Sequence, residues 1–355
     1  MKRILLVRPD GIGDFIIFSA VAEEYHKVFP EYRIDILCSP VVRELAETIP
    51  FVGRVISLDV RKLFRKKHFL YHLFWALRLR AMRYDKVICP VFSRNKVTDF
   101  IVKTVRANEK VVFDGDGAND PGNARFRNNK FFTHVVGSTP GMAPEIERNA
   151  EFINQLGWTL DGKNLKTKIW FSSEDDQSFH KLQKSFGLEK WKYICLFPGS
   201  GSPIRYWSNE NWARLIANFS ASDPLIKIVL LGGVRERQLV EDITNIIEIP
   251  RERILKIVGT ASLRLSAKVI ENAKLLISTE SSAVHMAAAV GTPNICIMGG
   301  GHFGRFFPYG DLAKNKIVYR RMDCYGCNWK CIYEKTKCIQ EIGIDFVLKE
   351  AGHFL

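Results

Sequence analysis

The chain has 355 residues, 46% hydrophobic and 25% charged, a balance that excludes intrinsic disorder and a length that favours two domains over one. Its 52 Lys/Arg against 38 Asp/Glu give a formal charge of +14, which suggests an anionic partner without naming one. No run reaches the roughly 18 uninterrupted apolar residues of a membrane span, because Glu280 and His285 break the one long candidate. The apolar run Ile4–Val7 is too short for the core of a signal peptide, so the protein is expected in the cytosol with any membrane contact peripheral.

In chain order, apolar strands are predicted at 4–7, 34–38, 54–58, 86–89 and 110–113, alternating with helix-like segments, which implies a parallel, doubly wound sheet. The segment 61–86 holds nine Lys/Arg against one Asp, interleaved with Phe64, Phe69, Tyr71, Phe74, Trp75 and Tyr84. A basic amphipathic helix of this kind either lies on an anionic membrane face or phosphorylated glycolipid, or is an ordinary crossover helix with solvated charges. Residues 114–144 turn Gly-, Asn- and Pro-rich and read as a long loop near a ligand cleft. A helix at 144–156 follows. Within 161–192 lies one amphipathic helix for which Ser173 and an acidic first turn supply the N-cap, and the domain boundary is set there, at 172/173.

From Tyr193 the alternation restarts: strand 193–197, helix 209–219, strand 226–231, helix 235–246, helix 262–272, strand 274–278, a helix after Ser281 and strand 294–298. This predicts a second Rossmann-like domain, with ligands at the C-terminal ends of both sheets across a cleft. No solenoid repeat is visible.

Three motifs carry chemistry. The first strand runs into PDGIGDFIIF, where Gly11 and Gly13 allow a tight turn and Asp14 stands at the mouth of the first helix. Asp14 is either a general base or a helix N-cap, and residue type alone favours the cap. It is not a dinucleotide fingerprint, since Ile16 holds the third glycine position of GxGxxG. In FPGSGSPIRYWSNENW, Gly199 and Gly201 let the backbone approach a phosphate, Ser200 and Ser202 offer donors, and Arg205 adds a fixed positive charge. In LLISTESSAVHMAAAVGTP, a helix starting near Ser281 points unpaired N–H groups at an anion, helped by the hydroxyls of Thr279, Ser281 and Ser282. Two phosphate-directed loops in one domain point to a nucleotide diphosphate.

These blocks, with LLGGVRERQLVEDI and the continuation PNICIMGGGHFGRFFPYG, resemble glycosyltransferase family 9, the heptosyltransferases of lipopolysaccharide core synthesis, over nearly the whole chain. The resemblance implies a GT-B fold, with residues 1–172 an acceptor-binding and 173–355 a nucleotide-sugar-binding Rossmann-like domain. It implies metal-independent inverting transfer of a sugar, most often a heptose, from an ADP-sugar to a hydroxyl of an anionic glycolipid or glycan. It makes Asp14 the catalytic base, reversing the preference for a plain cap. Arg205 stands where the family usually has Lys and would neutralise the diphosphate. Glu236 would contact the ribose, and Ser281, Ser282 and His285 match the diphosphate-binding turn and helix. The chain departs from the family at Glu280-Ser281-Ser282, where Asp-Thr-Gly is common; the longer carboxylate shifts reach by roughly 1.5 Å. It departs again at GGGHFGRFFPYG, so that His302 and Arg305 are expected to read a different sugar or acceptor, with Gly13 of the first motif also expected at the acceptor or sugar.

Cys324, Cys327, Cys331 and Cys338 form a CxxC-x3-C-x6-C cluster. In a cytosolic chain this is either a structural Zn or Fe site, as in autotransporter-modifying heptosyltransferases that the chain resembles, or four reduced thiols in a loop. Neither leaves an open ligand position for catalysis. Cys38, Cys89, Cys195 and Cys296 are expected in the core. A zinc-containing nucleic-acid-binding protein would share the basic charge and the cysteines but not two phosphate cradles, so no nucleic-acid partner is expected. A nicotinamide-dependent oxidoreductase would share the doubled Rossmann pattern but lacks the fingerprint. Glu280 and the altered Gly-rich loop also admit a homologue that binds nucleotide without catalysing transfer.

Overall fold

A computed structural model describes residues 1–119 and 124–355, with only the backbone of residues 124, 125 and 163. The chain divides into two compact units, Met1–Leu165 and Lys166–Leu355. The division lies N-terminal to 172/173 because the intervening residues are tied to the second unit. Among them, Phe171 has its ring 4.1 Å from Lys268 of that unit.

Unit 1 runs β1 Lys2–Arg8, α1 Ile12–Val28, β2 Tyr32–Cys38, α2 Arg43–Glu47, β3 Val52–Ser57, α3 Phe69–Ala81, β4 Arg83–Cys89, α4 Lys96–Thr104, β5 Arg106–Phe113, α5 Ala124–Asn128, β6 His134–Val136 and α6 Glu145–Gln155. Its sheet order is β3-β2-β1-β4-β5-β6, with every pairing parallel. Both faces of such a sheet are covered, which is why Ile4–Val7 reads as an unbroken apolar run rather than an alternating one. The segment expected to be one loop contains α5 and β6; β6 has only three residues, too short for a pattern to register. Residues 120–123 of that expected loop lie outside the described residues. Helix α3 is the crossover from β3 to β4, yet it buries only Trp75 and Leu79.

Unit 2 runs α7 Ser173–Phe186, β7 Tyr193–Phe197, α8 Asn209–Ser222, β8 Lys227–Gly232, α9 Arg237–Asn245, β9 Ile254–Val258, α10 Leu263–Glu271, β10 Leu275–Thr279, α11 Ser282–Val290, β11 Asn294–Met298, β12 Asn315–Tyr319, α12 Lys337–Gln340 and α13 Ile344–Ala351. The order β12-β11-β10-β7-β8-β9 is again all parallel and repeats the order of unit 1. Strands β9 and β12 escape the sequence reading because both are only partly buried edge strands with short apolar runs. The cap of α7 is Ser172, not Ser173: Asp175 accepts from the Ser172 N–H at 2.7 Å, closing a capping box. The core of unit 2 is built on Trp207 and Trp212, whose rings meet edge to face at 5.2 Å. The Trp207 indole donates to the Ile342 carbonyl at 2.8 Å, so the C-terminal helices are pinned beneath the β7 loop.

Candidate active site

In an open parallel sheet the strand order reverses at one point, and the loops leaving the two strands there diverge to leave a crevice. In unit 1 that point lies between β1 and β4, and in unit 2 between β7 and β10. The sequence-predicted residues Gly13 and Asp14 follow β1; Gly199–Arg205 follow β7 and Glu280–His285 follow β10.

Asp14 occupies the first turn of α1, whose N-cap is Gly11, so it is not the cap that residue type alone would favour. Gly11 has φ −75°, and Gly13 lies inside the helix, so neither uses the conformational freedom invoked for a tight turn. Arg8 holds this corner. Its Nη1 donates to the Pro90 carbonyl at 3.2 Å and its Nη2 to the Asp14 carbonyl at 3.3 Å. Its Nε lies 2.6 Å from the Asp10 carboxylate, and its guanidinium stacks 4.7 Å from the Phe18 ring. The Arg8–Asp10 contact is an ion pair without an aligned hydrogen bond. Burial pushes the Asp10 carboxyl up to about 6, with Arg8 opposing and Asp14 reinforcing the rise.

In unit 2 the two loops are joined directly. Thr279 Oγ1 donates to the Gly199 carbonyl at 2.6 Å. Ser281 is the N-cap of α11, its Oγ accepting from the Ala283 N–H at 3.2 Å and bonding Ser278 Oγ at 2.8 Å. The hydroxyls of Thr279 and Ser281, expected to face an anion, are therefore turned inward, where they fix the loop and the helix start. Ser200 likewise folds its own loop, donating to the Ser202 carbonyl at 2.7 Å. Gly199 has no room for a side chain, since a Cβ would stand 2.2 Å from Glu236 Cγ. Glu236 itself caps its turn, accepting from the Gly233 N–H at 2.8 Å.

Arg205 and Glu280 face each other loosely, Nη1 to Oε1 at 3.9 Å. Both Arg205 Nε and Glu280 Oε2 are buried without a hydrogen-bond partner. Burial pushes the Glu280 carboxyl up to about 7, only partly offset by Arg205. His285 stacks on Tyr309, with ring planes 12° apart and Nδ1 3.1 Å from the phenol oxygen. Burial lowers His285 to about 4, so it is neutral at pH 7. The sequence reading missed Tyr309, Arg8, Asp10 and Trp329, although all four lie inside motifs it singled out.

His302 is brought beside the cysteine segment. The Trp329 indole donates to His302 Nδ1 at 3.2 Å, and His302 Nε2 bonds the Asn328 side chain. Arg305 follows in the same turn, its guanidinium 4.9 Å from the Phe306 ring. Cys338, at the start of α12, accepts from the Gly300 N–H at 3.4 Å, while Cys324, Cys327 and Cys331 are half exposed. The Cys338 thiol is pushed up by burial and further by the other three thiols. The four do not converge into the expected ligand set: among the described residues no group of three or more His, Cys, Asp or Glu could hold a metal ion. The other four cysteines are buried, as expected. No described helix is long and apolar enough to cross a membrane.

Residues 76–335 match the sequence model of Glycosyltransferase family 9 (heptosyltransferase). Lipopolysaccharide heptosyltransferase 1 of Escherichia coli K12 is 23% identical over 355 residues, covering 95% of this chain and 100% of that protein. A glycosyl transferase family 9 structure from Veillonella parvula superposes with TM-score 0.79 at 20% identity, covering 99% and 97% of the two chains. E. coli heptosyltransferase WaaC, solved with ADP-2-deoxy-2-fluoro heptose, gives TM-score 0.68 at 17% identity over 98% and 99%. The iron-containing dodecameric glycosyltransferase TibC of enterotoxigenic E. coli gives TM-score 0.58 at 15% identity over 99% and 76%. The four cysteines as placed here do not fit such an iron. With its two Rossmann-ordered units of GT-B type, the chain belongs to glycosyltransferase family 9, the heptosyltransferases.

Proposed function

We propose that this glycosyltransferase moves a heptose from ADP-heptose to a hydroxyl of a lipopolysaccharide core acceptor, with inversion at the anomeric carbon. The acceptor hydroxyl would give its proton to the Asp14 carboxylate as its oxygen bonds the anomeric carbon, while the bond from that carbon to the ADP β-phosphate oxygen breaks. Negative charge then grows on ADP. Arg205, the backbone of Gly199–Ser202 and the N–H groups at the start of α11 would receive it. Ser282 adds a hydroxyl at that helix start, Glu236 the ribose contact, and His302 and Arg305 a reading of sugar or acceptor. The nucleotide donor suits a cytoplasmic enzyme.

One observation carries this reading: half-buried Arg205 and buried Glu280 face each other, each with a buried polar atom that lacks a partner, at the switch point of the unit that also holds the α11 helix start. A diphosphate would supply Arg205 with the acceptor atoms it lacks. The donor side is tested by calorimetric binding of ADP, UDP and GDP to wild type and Arg205→Ala, where ADP should bind best and weaken on substitution. Asp14→Asn should lower turnover about 100- to 10,000-fold with ADP affinity retained. Near-normal turnover of Asp14→Asn would remove Asp14 from the role. Absence of nucleotide binding together with tight, salt-sensitive oligonucleotide binding would overturn the whole reading.

A further inference from the structure

We infer that α3 and the turn before it dock on an anionic lipid bilayer. Residues 61–83 carry eight Lys/Arg and no acidic residue. Helix α3 turns Trp75 and Leu79 into the core. It leaves Phe69, Leu70, Leu73, Phe74 and Leu77 between 43% and 78% exposed. At about 100° per residue these five side chains fall within an arc of roughly 140°, opposite the buried pair. Arg78 flanks the arc, Arg80 falls within it at the C-terminal end of the helix, and Arg65, Lys66 and Lys67 are exposed just ahead of it. The Arg78 guanidinium lies 4.8 Å from the Trp75 ring and 5.8 Å from that of Phe74, a cation held beside the apolar stripe.

Five contiguous large apolar side chains are more than a soluble surface usually exposes. An anionic bilayer accepts both parts, apolar side chains among the acyl chains and cations at the headgroups. A symmetric second copy would set the same cations against one another. Nucleic acid would match the charge and leave the apolar stripe uncovered. This docking deepens the proposed function by bringing the enzyme to a lipid-anchored acceptor, and rests on it for that step alone.

The test is sedimentation of the full chain with vesicles of phosphatidylcholine alone or mixed with phosphatidylglycerol. Wild type should bind only the anionic vesicles and release as salt rises. The triple variant Leu70→Gln, Phe74→Gln, Leu77→Gln and the double variant Lys66→Glu, Lys67→Glu should each lower binding about 10-fold, with ADP affinity unchanged as proof of folding. Equal binding of wild type and either variant, or no binding of wild type, overturns the inference. So does self-association or oligonucleotide binding through α3 without vesicle binding. Vesicle binding with no transfer activity would leave the docking intact and count against the function alone.

A separate observation concerns Trp329, which we infer is the positioning residue for Arg205. The Arg205 guanidinium lies 4.9 Å from the Trp329 ring, and the same indole donates to His302. Asn328 and Trp329 both adopt left-handed backbone, φ 50° and 60°, unusual for residues other than glycine. Hydrogen bonds from the Asn328 N–H to the Gly301 carbonyl, 3.1 Å, and from the Gly326 N–H to the Gly300 carbonyl, 2.8 Å, hold the turn in that form. Trp329 therefore sets where two proposed ligand-facing side chains stand. The inference rests on Arg205 binding the diphosphate, so Arg205→Ala is measured alongside. Trp329→Ala should weaken ADP about 10-fold, Trp329→Phe should largely keep the affinity, and the double variant with Arg205→Ala should be no weaker than Arg205→Ala alone. If Trp329→Ala is without effect, or additive with Arg205→Ala, the inference is overturned while the function stands. If Arg205→Ala itself is without effect, the diphosphate role falls and the inference with it.

Discussion

Thr279 Oγ1 and the Gly199 carbonyl, 2.6 Å apart, form the one side-chain bond described between the ends of β10 and β7. The two loops proposed to hold the donor thus share a buried strut. Thr279→Val keeps the shape and leaves the carbonyl without its partner, which should cost about 1–3 kcal/mol in denaturant unfolding. ADP affinity should fall with it. Unchanged affinity would show that the loops hold their places independently.

Glu280 and His285 should tilt stability in opposite directions with pH. The raised Glu280 keeps its proton in the folded chain up to about pH 7, so its effect is to lose stability as pH rises from about 4.5 to 7. The lowered His285 resists protonation down to about pH 4, so it loses stability as pH falls from about 6.5 to 4. Across the overlap the two cancel. Glu280→Gln should therefore give a curve that rises with pH and gains up to about 3 kcal/mol above pH 7. His285→Gln should give a curve that falls with pH over the same window; parallel curves for the two variants would refute both assignments.

Gly300 is packed so closely that a Cβ would stand 2.1 Å from a ring carbon of Tyr325. Gly300→Ala should destabilise by about 1–3 kcal/mol. Adding Tyr325→Ala should recover part of the loss if this collision is the cause, as a double-mutant cycle by thermal unfolding would show.

Beside the Lys268–Asp176 pair, Arg264 ties α10 to α7 through Asp175, whose carboxyl is held below its ordinary value by the Ser172 hydrogen bonds and Arg264, against the opposing effect of burial. The carboxylate's contribution is present above the ordinary Asp range and lost as pH falls through its lowered value. Arg264→Met should cost about 1 kcal/mol at neutral pH and less in acid, read by urea unfolding at both pH values.

Both sheets were legible in the sequence because strands buried on two faces announce themselves as apolar runs, as at Ile4–Val7 and Leu275–Ile277. Edge strands β9 and β12, open on one side, carry no such run. The candidate site was legible as motifs but not as roles. The letters Thr279, Ser281 and Glu236 do not say that their polar atoms serve the backbone rather than a ligand; that is decided by a tertiary contact with Gly199 for Thr279 and by local caps, on the Ala283 and Gly233 N–H groups, for Ser281 and Glu236. Trp329 lay hidden because its meaning depends on a turn that carries it back against Gly301 and Arg205.

Arg8 touches something on every side: Pro90, the Asp14 carbonyl, Asp10 and the Phe18 ring. A guanidinium so enclosed is masonry, unable to swing toward an arriving anion. It belongs to the chain's positive total and yet offers nothing to the outside. The keystone grips the backbone carbonyl of Asp14 and so fixes the turn from which that side chain springs, and a phosphate near this corner would have to find its counter-charge on another residue.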